Sequence, residues 1–291
     1  MTSIREFAPA KVNLTLRVEG RQADGYHRLA SLTTFANAGD TLTFEPGLPR
    51  EIVVSGSFAP ALSGRPTTLD AVFDLLVRQA PDVALGRVHL EKNLPIAAGL
   101  GGGSADAAAL IRAVRRASPK AAASVDWPAF AARIGADVPV CLASRPLWMT
   151  GVGHDLADIP GGIPPLAAVL VNPLAPVPDD KTARVFRTLG AGPAGPDAPH
   201  DAAPVFADRA ALLDVMRAVG NDLEDAAATV VPEIRQVLAA LASEPGVEHA
   251  ALSGAGPTCF GVFADEADAA RARGRLAAAH PDWWVVAVTL G

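Results

Sequence analysis

The sequence predicts a two-domain globular chain that mixes strands and helices, and three observations carry that prediction. The chain has 291 residues, enough for two separate cores. Half of its residues are hydrophobic and 19% are charged, the balance of a folded chain rather than a disordered one. A proline- and glycine-rich cluster, Pro160 to Pro165, separates an N-terminal stretch of mixed periodicity from a C-terminal strand–helix–strand pattern, placing the domains at residues 1–160 and 161–291.

Taken in order, the first strand is marked by Val12, Leu14, Leu16 and Val18 alternating with Lys11, Asn13, Thr15 and Arg17. A period of two puts the apolar set on a buried face and sends Lys11 and Asn13 together to the other. A second extended stretch covers Asp40 to Phe44. Helical spacing of Leu69, Val72, Phe73 and Leu76 predicts a helix after Pro66. A strand near Val88 to Leu90, a glycine-rich turn and an alanine-rich helix from about Ala105 to Arg116 follow. Asp126 and Pro128 read as a helix start and Gly135 as its stop. Residues 191–204 are rich in Pro, Ala, Gly and Asp without periodicity, which predicts a mobile surface loop. The chain closes with a strand over Thr258 to Phe263, a helix over Asp265 to Ala279 and a strand over Trp283 to Leu290.

Charge and composition exclude several function classes. The net charge is −6 and no dense Lys/Arg run occurs, so the basic footprint that nucleic-acid binding requires is missing. The most apolar stretch, Ile163 to Val177, is broken by prolines and too short to span a bilayer, and the N-terminus lacks the pattern of a secretory signal. Cys141 and Cys259 each lie in an apolar, strand-like run and read as buried thiols, not as a disulfide or a metal pair. A cytoplasmic protein is expected, without membrane or nucleic-acid partners and without a protein-built metal cluster.

The most informative segment is Leu94-Pro95-Ile96-Ala97-Ala98-Gly99-Leu100-Gly101-Gly102-Gly103-Ser104. Its four glycines lie between a strand and a helix, where a backbone without Cβ can curl successive amides around an anion. The helix that follows adds unpaired N–H groups and its positive dipole end. No Gly-Lys-Ser/Thr follows, so this is not a P-loop, and Ser104 stands where the dinucleotide fingerprint needs glycine.

The pattern Pro95-x-x-x-Gly99-Leu100-Gly101-Gly102-Gly103-Ser104 resembles the ATP-phosphate loop of the GHMP kinases, named for galactokinase, homoserine, mevalonate and phosphomevalonate kinases. That resemblance implies an α+β chain of two domains, a ribosomal protein S5 domain 2-like N-terminal domain and a ferredoxin-like C-terminal one. It also implies ATP, with Mg²⁺ arriving on the nucleotide phosphates. Pro95, Gly99, Leu100, Gly101, Gly102, Gly103 and Ser104 take the nucleotide-binding role. By itself Asp137, in Gly135-Ala136-Asp137-Val138-Pro139, reads as a cap or turn residue before a strand through Cys141. Lys11 by itself reads as a solvated strand lysine. The resemblance makes the pair catalytic: Asp137 orients the accepting hydroxyl, and Lys11 keeps the carboxylate ionised and offsets phosphoryl charge.

A second motif narrows the branch. Asp24-Gly25 predicts a tight turn, followed by Tyr26, the chain's one tyrosine, and His27. An aromatic face beside an imidazole suits base stacking and edge hydrogen bonding. Asp24-Gly25-Tyr26-His27, after Pro9-Ala10-Lys11-Val12-Asn13-Leu14, resembles the signature of GHMP kinases acting on a cytidine diphosphate-linked methylerythritol. In that branch Tyr26 would stack on cytosine, His27 would bond its edge and Asn13 would touch the substrate. Leu252-Ser253-Gly254-Ala255-Gly256-Pro257-Thr258 resembles the third GHMP motif, a turn packed near the phosphate loop. Asn221-Asp222-Leu223-Glu224 matches the branch in a structural role. The chain departs from it at Ala105, where a second serine is usual, and at Thr67-Thr68-Leu69, where an asparagine is expected. Two rival readings are another GHMP kinase, for homoserine or mevalonate, and a nucleotide-binding regulator without catalysis.

Overall fold

The alternation that marks Asp40 to Phe44 belongs to a strand of 20 residues, His27–Pro46. Its first half escapes the period-two rule because Ala30 to Ala36 are buried on both faces. The computed structural model describes residues 2–195 and 202–291. They form two compact units that interleave along the chain. The first contains residues up to Ala10, Ala38–Ile96 and Gly101–Ser144; the second contains Lys11–Asn37, Ala97–Leu100 and Arg145–Gly291. A single cut at residue 160 does not give these units, because strands Ile4–Asn13 and His27–Pro46 each contribute residues to both.

In the first unit, strand Gly86–Glu91 lies between two neighbours. Thr41 to Pro46 pair with it antiparallel and Glu51–Ser55 parallel. A parallel pair needs a crossover, and the helix Thr68–Gln79 supplies it. Thr67 and Asp70 close a capping box at its start, and Leu69, Val72, Phe73 and Leu76 fill the core, as their spacing predicts. The helix Gly102–Ala117 buries Ala105, Ala107, Ala108 and Ala109 together with Leu110, Ile111 and Val114. Small side chains on several faces let it pack against both Thr68–Gln79 and a short helix, Val138–Ala143. Asp126 caps the helix Trp127–Ile134 by accepting from the Ala129 N–H, and Gly135 follows its end.

In the second unit four strands form an antiparallel sheet in the order Trp284–Leu290, Leu166–Asn172, Cys259–Phe263, Val247–Leu252. Numbered by sequence, that order is fourth, first, third, second, with the helix Glu266–Ala279 between the last two strands. This is the ferredoxin-like arrangement. Every residue of Leu166–Asn172 is buried, as a central strand covered on both faces requires. The helices Glu224–Val230 and Glu233–Ala242 bring Ala227, Ile234, Val237 and Leu241 into the same core. Residues Leu29 to Thr33 of the long strand pair with Leu147–Gly151 in this unit. Arg21 exchanges hydrogen bonds with Gly192 and Ala194, so the start of the expected mobile loop is tied down. Residues 196–201 of that loop lie outside the described residues.

Candidate active site

Gly101 to Ser104 belong to the first unit and Ala97 to Leu100 to the second. In the first unit Gly101, with φ 62°, is the left-handed residue before the helix Gly102–Ala117. Only glycine enters that region without a Cβ clash. Gly103 is exposed and its carbonyl accepts from the Thr68 hydroxyl at 2.6 Å, while Ala105 N–H donates to Gly101 O at 2.8 Å. At the two departures from the branch pattern, Thr68 bonds the helix end and Ala105 is buried beneath it. Pro95 is also buried in this unit, and Ser104 is half-buried at the helix mouth.

Beneath the helix end lies a buried ion cluster that no motif announces. Lys92 Nζ donates to Asp40 Oδ2 at 2.5 Å and to Asp106 Oδ2 at 2.7 Å, with all three side chains at most 4% exposed. Asp40 Oδ1 accepts from the N–H groups of Asn93 and Leu94 at 2.6 and 2.8 Å. A Cβ on Gly102 would lie 3.1 Å from Lys92 Nζ. One ammonium serves two carboxylates, and Asp40 has the better solvation by far. Burial pushes Asp106 up to about 7 against the pull of Lys92, with Asp40 adding to the rise. Burial alone would depress Lys92, but the carboxylates of Asp106 and Asp40 outweigh it and hold its pKa up. Lys92 therefore stays an ammonium between the two carboxyl groups.

Asp137 also belongs to the first unit, half-buried and one residue before the helix Val138–Ala143. A strand through Cys141 was the expectation; Pro139 in the first turn and the burial of Val138, Val140 and Cys141 make it a helix. Asp137 occupies the capping position, but its carboxylate does not cap that helix. The side chain is therefore not committed to the local role its position offers.

In the second unit Lys11 and Asn13 are 4% and 1% exposed, so the face opposite the apolar set is buried too, and Lys11 is not a solvated strand lysine. Lys11 N–H donates to Leu100 O at 2.9 Å, joining this strand to the start of the glycine loop. Asn13 N–H donates to Ser253 Oγ at 3.3 Å, and the Ser253 hydroxyl donates to Gly99 O at 3.0 Å. Thr258 N–H completes the assembly on Ala98 O at 3.0 Å. Gly99 has φ 78°, and a Cβ there would lie 2.5 Å from Ser253 O. The turn Leu252 to Thr258 thus packs on Ala97–Leu100. Asn221 Nδ2 holds that turn through Leu252 O and Gly254 O, both at 2.9 Å. Asn13 Nδ2 donates to Ser31 Oγ at 2.7 Å, whereas Asn13 Oδ1 is buried with no partner among the described residues.

The same unit presents the aromatic pair. Tyr26 N–H donates to Asp24 Oδ1 at 3.0 Å across the predicted turn, where Gly25 has φ 92°. Tyr26 is 63% exposed. His27 lies against Phe186, with ring centroids 4.5 Å apart and 21° between planes. Burial and then the Arg21 charge lower the His27 pKa below its ordinary value, which favours the neutral imidazole. Phe186 gives no signal in the sequence beyond its place in an amphipathic helix, Lys181–Leu189.

Comparison with known proteins places the chain in a family. The models for the GHMP kinases N terminal domain and the GHMP kinases C terminal match residues 68–145 and 207–282, on either side of the Pro160 to Pro165 cluster. A 4-diphosphocytidyl-2-C-methyl-D-erythritol kinase of Paracoccus denitrificans is 46% identical over 97% of this chain and 95% of its own length. One of Rhodopseudomonas palustris is 45% identical over 99% and 97%. A crystal structure of 4-(cytidine 5'-diphospho)-2C-methyl-D-erythritol kinase superposes with a TM-score of 0.75 at 31% identity, covering 99% of both chains. Homoserine kinase from Cytophaga hutchinsonii shares the fold, with a TM-score of 0.69 at 17% identity. Among the described residues, no helix is long and apolar enough to cross a membrane. With relatives this similar along nearly its whole length, the chain belongs to the GHMP kinase family, in the branch of the 4-diphosphocytidyl-2-C-methyl-D-erythritol kinases.

Proposed function

We propose that the chain transfers the γ-phosphoryl group of ATP to the 2-hydroxyl of 4-diphosphocytidyl-2-C-methyl-D-erythritol, giving the 2-phosphate and ADP. The reaction belongs to the non-mevalonate route to isoprenoid precursors and takes place in the cytosol. The observation that carries the reading is the second unit's assembly of Lys11 and Asn13 with Ala97–Leu100 and the Ser253 turn. It ties the backbone of a buried lysine to the root of the glycine loop, beside an amide oxygen with no partner among the described residues, in the unit that also presents Tyr26 and His27.

Positive φ at Ala97, Gly99 and Gly101 turns the backbone at every second residue, a pattern that curls amide N–H groups toward an anion. The nucleotide phosphates lie on Gly99 to Ser104, with the N-terminal turn of a 16-residue helix adding donors and dipole. Mg²⁺ comes with the nucleotide, held mainly by its phosphates, and shields their charge. Tyr26 stacks on cytosine, and neutral His27, braced by Phe186, donates and accepts at the base edge. Asn13 Oδ1 accepts from a hydroxyl of the substrate.

In the transfer step the 2-hydroxyl oxygen forms a bond to the γ-phosphorus as the bond to the bridging β,γ-oxygen breaks. The electron pair of the broken bond leaves on ADP, and Asp137 receives the hydroxyl proton. Such a transition state is loose, so orienting the hydroxyl matters more than removing its proton early. Lys11 offsets the charge on the equatorial oxygens.

An ADP-release assay with the cytidine compound beside homoserine and mevalonate tests the reading. Turnover confined to the cytidine compound is expected. Equal or better turnover of either alternative would overturn the substrate assignment, and nucleotide binding without turnover on any of them would make the chain a regulator.

A further inference from the structure

Lys181 is a buried charge in the second unit that the mechanism does not use. It is the first residue of the helix Lys181–Leu189, the end where the helix dipole disfavours a cation. It is 3% exposed, and among the described residues no carboxylate pairs with it. Asp180 beside it is engaged by Arg184 and Arg187 instead. Burial drives the Lys181 pKa down to about 8. Neither helix stability nor a salt bridge accounts for an ammonium in this place.

Its two acceptors do. Lys181 Nζ donates to Ala97 O at 2.9 Å and to Gly256 O. Ala97 opens the nucleotide-side segment and has φ 54°, a left-handed conformation that a side chain disfavours and that surrounding contacts must hold. Gly256 belongs to the turn that packs on Gly99. Five residues on from Lys181, Phe186 forms the wall behind His27. One buried cation therefore joins the phosphate segment, the third-motif turn and the helix that carries Phe186.

We propose that Lys181 is a positioning residue that couples the two ligand sites, so that order imposed on Ala97–Leu100 by nucleotide is passed to Phe186 and His27, and the reverse. The inference rests on the reading that the first segment serves ATP and the second the cytidine base. Coupling is reciprocal by linkage, whichever ligand binds first.

The test measures binding of a non-hydrolysable ATP analogue and of the cytidine substrate, each alone and with the other present, by calorimetry. Amide hydrogen exchange over residues 97–100 and 182–188 is followed in parallel. In wild type each ligand should tighten the other about fivefold or more. In Lys181→Met that factor should fall to about one, with exchange faster in both segments. A folded Lys181→Met that keeps the coupling, a wild type without coupling, or faster exchange in only one segment would each overturn the proposal. If Lys181→Met does not fold, Lys181→Gln, which keeps an N–H donor but loses the charge, carries the same comparison. A wild type that binds nucleotide but not the cytidine compound would defeat the substrate reading instead, and the exchange pattern would still decide whether Lys181 ties the segments.

Discussion

The imidazole of His27 lies nearly parallel to the ring of Phe186, with 4.5 Å between centroids, while neighbouring Tyr26 leaves most of its ring exposed. One aromatic is therefore committed within the fold and the other is available to a ligand. Stacking of a base on an aromatic side chain contributes about 1–3 kcal/mol. Tyr26→Ala should weaken the cytidine substrate by about 5- to 150-fold and leave ATP within a factor of about two. Parallel loss of both ligands in calorimetry would count against a base-stacking role.

Phe186→Ala acts on a different property. It removes the surface that fixes the imidazole plane, so KM for the cytidine compound should rise even though Phe186 carries no polar group. The His27 pKa is lowered by burial and by Arg21, so the neutral ring dominates at pH 7. Substrate affinity should then hold near neutrality and fall as pH drops through that lowered value. Arg21→Gln removes a nearby positive charge, raises the His27 pKa and moves the acid limb of kcat/KM upward. An acid limb that stays in place in Arg21→Gln would show that another group titrates.

Asp137→Asn keeps the size of the side chain and removes its ability to accept a proton. Loss of a positioned acid–base group commonly costs about 10²- to 10⁴-fold. The variant should bind the ATP analogue as wild type does while kcat falls in that range. A kcat within a factor of about three of wild type would remove Asp137 from the chemistry.

Gly99→Ala tests the packing that shapes the loop. The new Cβ would lie 2.5 Å from Ser253 O at a residue with φ 78°, so both the turn and the backbone must shift. Left-handed backbone alone costs an alanine about 1–2 kcal/mol. ATP affinity should drop about tenfold or more. The equivalent change at Gly161, where nothing lies within 4 Å and φ is 78°, should cost stability without affecting ATP.

Local signals in the sequence carried as far as local physics decides the outcome. Asp126 and Gly135 bound a helix where capping chemistry places them, and the spacing of Leu69, Val72, Phe73 and Leu76 is the buried face it predicts. The strand bearing Lys11 shows the limit. Period two separates its faces correctly, but whether the second face meets water depends on tertiary partners, and there the Asn13 side chain meets Ser31. Cys141 lies in an apolar run too short to distinguish strand from helix, and Pro139 with tertiary packing decides it. Phe186, Lys181 and the Asp40–Lys92–Asp106 cluster depend on contacts between distant residues and leave no spacing to read. The one local trace is Asp106, a carboxylate inside an alanine-rich helix.

That cluster makes a stability prediction with a defined sign. Lys92→Met would leave Asp40 and Asp106 buried together without their cation, and breaking a buried ion pair from one side costs about 3–5 kcal/mol. Asp106 responds differently because its folded-state pKa, about 7, lies above the ordinary carboxylate value of 3.8. Between those values the folded chain holds a proton that the unfolded chain releases, so this group makes stability fall as pH rises, by up to about 1.4 kcal/mol per unit. Below the unfolded value both states are protonated, and above about 7 neither is, so the loss is complete there. Asp106→Asn removes the slope and should gain stability relative to wild type between pH 5 and pH 7 in urea unfolding. The groups facing Asp106 are Lys92 and Asp40, and neither changes in that variant. Identical pH slopes for the two proteins would mean that Asp106 stays ionised throughout.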